Sequence, residues 1–142
     1  MTKQFYMLDT NTVSYIIKGN PAAVSTHLKK RPISSICISA ITEAELLTGV
    51  AKKPDAKQLH KAVHEFLIRV DIMLWDTNTA KVYAKFRTAC ESKGKPLGNM
   101  DMLIAAHSIA VGATLITSDK AFFNVKELLD LEDWTKVLGS NF

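Results

Sequence analysis

Cysteine is scarce: the 142 residues contain two, Cys37 and Cys90. Both sit in apolar surroundings without CxxC or metal-ligand spacing, which argues against a disulfide framework and for two reduced, buried thiols. No apolar run approaches the length of a membrane span. MTKQF at the start leads into a short strand, with no signal-peptide apolar region or cleavage site, so a cytoplasmic protein is expected. Repeats, low-complexity tracts and interdomain linkers are also missing, and GKPLG (94–98) is merely a loop between helices. What remains is a single globular domain spanning 1–142, whose 47% hydrophobic residues suffice for a core.

Acids are the minority charge, 14 against 18 Lys and Arg, giving a net charge of +4 and a pI near 9.1. That balance suits a polyanionic partner such as nucleic acid, although many soluble proteins are equally basic. Position is more informative than number, because the acids recur where apolar runs end.

Short β-rich runs close in polar residues at QFYMLD (4–9), SSICIS (34–39), IMLWD (72–76) and ATLITSD (113–119), and WTKVL (134–138) is a candidate last strand. Helical periodicity fills the intervals. VSYIIKG ends at Gly19, a segment from Pro21 runs to Pro32, and ITEAELLTGVAKKP stops before Pro54. DAKQLHKAVHEFLIRV turns Leu59, Val63, Phe66, Leu67 and Val70 inward, and TNTAKVYAKFRTACESKG aligns Val82, Phe86, Ala89 and Cys90. DMLIAAHSIAVG is almost wholly apolar and must be central. The alternation predicts an α/β fold, a three-layer α/β/α domain around a mainly parallel sheet of four to five strands.

Four acids follow strands or open helices: Asp9, Glu45, Asp101 and Asp119. In a parallel sheet the carboxyl ends of the strands share one edge, so these residues can converge. Carboxylates gathered there repel unless a cation neutralises them, and oxygen ligands suit Mg²⁺ or Mn²⁺. Each acid also has a local explanation. Asp9 can cap a helix starting near Val13, Glu45 can close a capping box with Thr42, Asp101 can complement a helix dipole, and Asp119 can begin a turn. Asp101 favours the joint explanation, since it precedes a helix buried along most of its length and an unpaired buried carboxylate is costly.

With MLDTN, SAITEAELLTG, GNMDMLIAAH and LITSDKAFF occurring in that order, the chain resembles the PIN-domain ribonucleases, specifically the VapC toxins of bacterial toxin–antitoxin pairs. The resemblance runs from Tyr6 to the LEDW segment. It implies a metal-dependent endoribonuclease using Mg²⁺ or Mn²⁺, with Asp9, Glu45, Asp101 and Asp119 as catalytic metal ligands. Asp119 is the position at which some members carry a neutral polar residue, and Glu43 falls at a variable position. Thr10, Asn11, Ser39, Thr117 and Ser118 would orient the carboxylates or their waters. The implied partners are a structured RNA, tRNA above all, and a cognate VapB-type antitoxin, with a homodimer and a toxin–antitoxin hetero-oligomer as assemblies and no membrane.

RNA needs positive surface near the acids. Lys85, Arg87, Lys93 and Lys95 are the candidates, with the run Lys29, Lys30 and Arg31 beside them; a solvated surface explains them equally well. His60 and His64 share one turn of a charged helix face, and His107 suits a structural role with a satisfied hydrogen bond. Tyr15, Trp75, Tyr83 and Phe86 follow apolar stripes and read as core or interface. A haloacid-dehalogenase phosphatase would need a second acid where Asn11 stands, and a receiver domain would need an acidic doublet near the first strand. A catalytically degenerate binding module of the same fold would be expected to lack Asp9, Glu45 or Asp101. A DNA nuclease would be expected to add a DNA-clamping element.

Overall fold

The computed structural model describes residues 4–95 and 97–137. Five strands form one parallel sheet: β1 (Tyr6–Leu8), β2 (Ile36–Ser39), β3 (Asp71–Met73), β4 (Thr114–Ile116) and β5 (Leu131–Glu132), in spatial order β3-β2-β1-β4-β5. The helices are α1 (Thr10–Lys18), α2 (Ala22–Lys29), α3 (Ala40–Ala51), α4 (Lys57–Arg69), α5 (Thr77–Ser92), α6 (Asn99–Ala110) and α7 (Lys120–Phe123). The sequence expectation of a three-layer α/β/α domain around a parallel sheet is met. No helix among the described residues is long and apolar enough to cross a membrane.

Strand alternation builds the layers, because successive side chains leave opposite faces of a sheet. Met7, Cys37 and Leu115 join Phe86, Cys90, Met102, Ala105, Ala106 and Phe122 in one core, beneath α5, α6 and α7. Leu8, Ile36, Ile38 and Ile116 join Val13, Val24, Leu46, Val63 and Trp134 in the other, beneath α1 to α4. Both cysteines are free and buried, as expected, and burial pushes the Cys37 thiol up to about 12. The apolar helix α6 is the central one, with Ile104, Ala105, Ala106 and His107 all at or near zero exposure.

The strands are shorter than their apolar runs suggest. Helices begin directly after the strands, with Asp9 and Ser39 already serving as caps for α1 and α3. The last strand is a correction: pairing with β4 is made by Leu131 and Glu132, not by WTKVL. Asp133 stops the strand, its Oδ1 accepting from Thr135 N at 2.9 Å and Thr135 Oγ1 at 2.6 Å in a turn typical of Asp. Trp134 then folds inward, 1% exposed, stacked 5.6 Å from the His27 ring and donating from Nε1 to Glu132 Oε1 at 2.9 Å. Leu138, the end of that expected strand, lies outside the described residues.

Strand order positions the site. From β1 the chain moves one way to β2 and β3, then returns to the other side for β4 and β5. The carboxyl ends of β1 and β4 therefore flank the point where connections diverge, the place at which open α/β sheets offer a crevice. Asp9 leaves one of those ends and Thr117 the other.

Candidate active site

Asp9 is held by its own backbone and by β4. Its N–H donates to Ile116 O at 3.1 Å, and Thr12 Oγ1 donates to the same carbonyl, also at 3.1 Å. One carboxylate oxygen, Oδ1, accepts from Thr12 N at 2.8 Å, so Asp9 does cap α1, which begins at Thr10 and not near Val13. At 4% exposure the carboxyl is held above its ordinary pKa, chiefly by burial. Hydrogen bonds from Thr117 and Thr12 oppose that rise, while the Asp119 charge adds to it.

Glu45 departs from its expected local role. The N-cap of α3 is Ser39, whose Oγ accepts from Ile41 N at 3.0 Å, so Thr42 is already inside the helix and no capping box forms. Glu45 instead lies one turn on, where Oε1 accepts from Thr10 Oγ1 at 2.5 Å. A sequence separation of 35 residues is thereby closed between the start of α1 and the body of α3. Thr10 is thus hydrogen-bonded to one of the four carboxylates.

Asp101 stands in the first turn of α6, capped by Gly98, where the helix dipole favours negative charge. Its pKa is nonetheless raised to about 6, by burial first and then by the charges of Asp119, Glu45 and Asp9 in that order. Repulsion and desolvation thus outweigh the dipole. Asp119 caps α7 through Oδ1 to Ala121 N at 2.9 Å, and its own N–H donates to Thr117 Oγ1 at 3.1 Å. The four acids therefore lie within electrostatic reach of one another at one sheet edge.

Glu45 and Asp119 each accept one hydrogen bond, from Thr10 and from Ala121 N, while Asp9 accepts from Thr12 and Thr117. Like charges resist closing to shared-ligand distance, and among the described residues no three His, Cys, Asp or Glu side chains already enclose a cation position. The donor set still fits a hard divalent ion: it is all oxygen, concentrated in charge, and includes a carboxyl whose ionisation its neighbours oppose.

The other expected residues divide. Thr117 supports Asp9 and Asp119, and Ser39 is fully buried at the head of α3. Asn11 is exposed, and among the described residues neither it nor Ser118 hydrogen-bonds to the acids. His107 lies outside the acidic edge, its Nδ1 hydrogen-bonded with Ser39 Oγ at 2.7 Å. Trp75 donates to Leu103 O at 3.1 Å and meets Tyr83 edge-on, consistent with packing.

Several expected RNA contacts are already engaged. Arg87 reaches Tyr83 Oη at 2.6 Å and Glu91 at 3.5 Å, Lys93 pairs with Glu127 at 3.4 Å, and Arg31 is pinned between Tyr6 and Trp134 with Glu132 at 3.0 Å. Lys85 and Lys95 are exposed. Cations missed in the sequence line the same depression as Thr10 and Glu45: Lys18, Lys52 and Lys53, around about 290 Å³ floored by Ile17, Leu46, Val50, Leu59 and Val63. The signal was available, since Lys52 falls two helical turns after Glu45 and so shares its face.

Comparison with known proteins supplies an independent line. The PIN domain family matches residues 6–128. The chain is 38% identical over 133 residues to Ribonuclease VapC2 of Rickettsia felis, covering 92% of this chain and 98% of that protein. It is 32% identical over 132 residues to the tRNA(fMet)-specific endonuclease VapC of Salmonella typhimurium, covering 91% and 97%. In structure it resembles a chain of VapBC2 from Rickettsia felis bound to a DNA fragment from their promoter, with a TM-score of 0.82 at 36% identity over 92% of this chain and 99% of that one. A match spanning both the sheet and its acidic edge, at this identity and in nearly full length, makes the chain a member of the PIN-domain family, within its VapC ribonucleases.

Proposed function

We propose that this chain is a Mg²⁺- or Mn²⁺-dependent endoribonuclease, the toxin of a toxin–antitoxin pair, acting in the cytoplasm on a structured RNA. The observation that carries the reading is Asp101, a carboxyl raised to about 6 by burial together with Asp119, Glu45 and Asp9. Such an arrangement is costly as a structural device and useful as a cation site.

Asp9, Glu45, Asp101 and Asp119 would hold the ion. When bound, a divalent ion supplies an activated water and neutralises charge on phosphate oxygens. The protein's own part is orientation. Thr10 holds Glu45 through Oε1, Thr117 steadies Asp9 and the Asp119 backbone, and the cap bonds hold Asp9 and Asp119 at the starts of their helices. Lys52, Lys53 and Lys18 would meet phosphates flanking the cleaved one, with Lys85 and Lys95 farther along the strand. No histidine is required as a general base.

The substrate class we favour is tRNA, supported by the Salmonella relative being a tRNA(fMet)-specific endonuclease. A VapB-type antitoxin as inhibitory partner is supported by the complexes in which the structural relatives were solved. A homodimer follows from the family resemblance.

The test is cleavage of total small RNA by the purified, antitoxin-free chain with Mg²⁺ or Mn²⁺, beside EDTA and Asp101→Asn controls. Discrete fragments lost in both controls are expected. Absence of cutting with RNA or partner binding retained would replace this reading with a degenerate binding module.

A further inference from the structure

His107 and Ser39 are both fully buried, and they join the two helices that carry Glu45 and Asp101. Ser39 Oγ accepts from Ile41 N at 3.0 Å and lies 2.7 Å from His107 Nδ1. A hydroxyl has one proton to give. Ser39 Oγ also keeps a second lone pair, so with one lone pair facing the Ile41 N–H it can bond Nδ1 of either neutral imidazole tautomer. Nε2 is on the side of the Leu74 backbone, short of hydrogen-bonding geometry. Burial holds the ring below its ordinary pKa against the influence of Leu74 and Asp76, so the imidazole is neutral at neutral pH.

The placement is symmetrical along the two helices. Glu45 stands six residues after Ser39, and Asp101 six residues before His107. At about 1.5 Å per residue, each carboxylate is borne about 9 Å from the bond, so a tilt of about 10° there would carry an acid through about 1.5 Å. Glu45 and Asp101 repel one another, and that force acts to spread the same two helices.

We propose that the His107–Ser39 hydrogen bond is a brace setting the separation of Glu45 and Asp101, which makes His107 a positioning residue for the nuclease site. The inference rests on the reading of those acids as that site. A displacement of about 1 Å at a reacting centre costs on the order of 100-fold in rate, so the bond acts on turnover while lying outside the chemistry.

The experiment compares the parent, His107→Leu, His107→Asn and Ser39→Ala, with Val125→Ala, a buried core residue outside α3 and α6, as a destabilised control. Asn retains a side-chain amide near the Nδ1 position, able to accept from Ser39 Oγ or donate to it. Mn²⁺ affinity is read by calorimetry and RNA cleavage as separate kcat and KM, each per folded molecule. The brace predicts Mn²⁺ affinity and kcat lower by about 10- to 100-fold in His107→Leu and Ser39→Ala, recovery of most of the loss in His107→Asn, and KM within about twofold throughout. Val125→Ala should lose stability alone. Folded His107→Leu with parental kcat and Mn²⁺ affinity overturns the brace, as does an equal fall in Val125→Ala. Should His107→Leu not fold, Ser39→Ala decides by the same criteria. A parent that neither cleaves RNA nor binds Mn²⁺ refutes the nuclease reading itself, a result distinct from failure of the brace.

Discussion

Replacing Asp101 by Asn should stabilise the fold while abolishing cleavage, and the size of the effect follows from the site. The carboxyl is raised from an ordinary value of 3.8 to about 6. At about 1.4 kcal/mol per pH unit, ionising it in the folded protein costs up to about 3 kcal/mol more than in the unfolded chain. The sign is set by proton uptake. Below about pH 4 both states are protonated and the group is neutral to stability. Between about pH 4 and 6 the unfolded chain releases its proton first, so stability falls as pH rises, and above about pH 6 the deficit is constant. Asn carries no such term. Urea unfolding in EDTA should therefore show Asp101→Asn and the parent nearly equal at pH 4, and the variant more stable by about 1–3 kcal/mol at pH 7.5. Mn²⁺ should narrow that gap, because an ion that binds only the folded parent stabilises it by mass action. A variant no more stable than the parent at pH 7.5, or a gap of the same size at both pH values, would refute the claim that neighbouring carboxylates and burial oppose this charge.

Two further outcomes are expected. Lys52→Glu with Lys53→Glu should raise KM for RNA several-fold, leave kcat within about twofold and flatten the salt dependence of binding by about one unit of slope per lost phosphate contact, measured by filter binding across ionic strengths. Arg31→Met should cost about 2–3 kcal/mol in urea unfolding, since the guanidinium is stacked at 4.7 Å on both Tyr6 and Trp134 and pairs with Glu132, while cleavage per folded molecule should be unchanged.

The fold was legible because periodicity and punctuation agreed. Gly19 does end α1 in the left-handed conformation at φ 71°, and the apolar 101–112 segment does become the central helix. Asp9, Glu45, Asp101 and Asp119 could be singled out because each followed an apolar run or opened a helix, features visible without coordinates. What escaped notice depended on partners distant in sequence. The TEAE pattern suggested a cap, but the hydroxyl of Ser39, three residues earlier, took that role and released Glu45 to Thr10. Trp134 looked like a strand residue because its burial between His27, Arg31 and Tyr6 is a tertiary fact. Arg31, Arg87 and Lys93 looked like free cations for the same reason: composition does not reveal which acid or ring a side chain will find.

The strand order also imposes a schedule on synthesis. β1 can pair with β2 early, but its other neighbour, β4, is separated from it by most of the polypeptide. Until residues 114–116 have been made and delivered, β1 retains an open edge, and Asp9 has neither the Ile116 carbonyl nor the Thr117 hydroxyl that hold it in place. Asp119 comes later still. A ribosome-bound nascent chain therefore carries the helices α1 to α6 before it can assemble the acidic edge, and fragments truncated ahead of β4 should be inert however well their remaining parts fold.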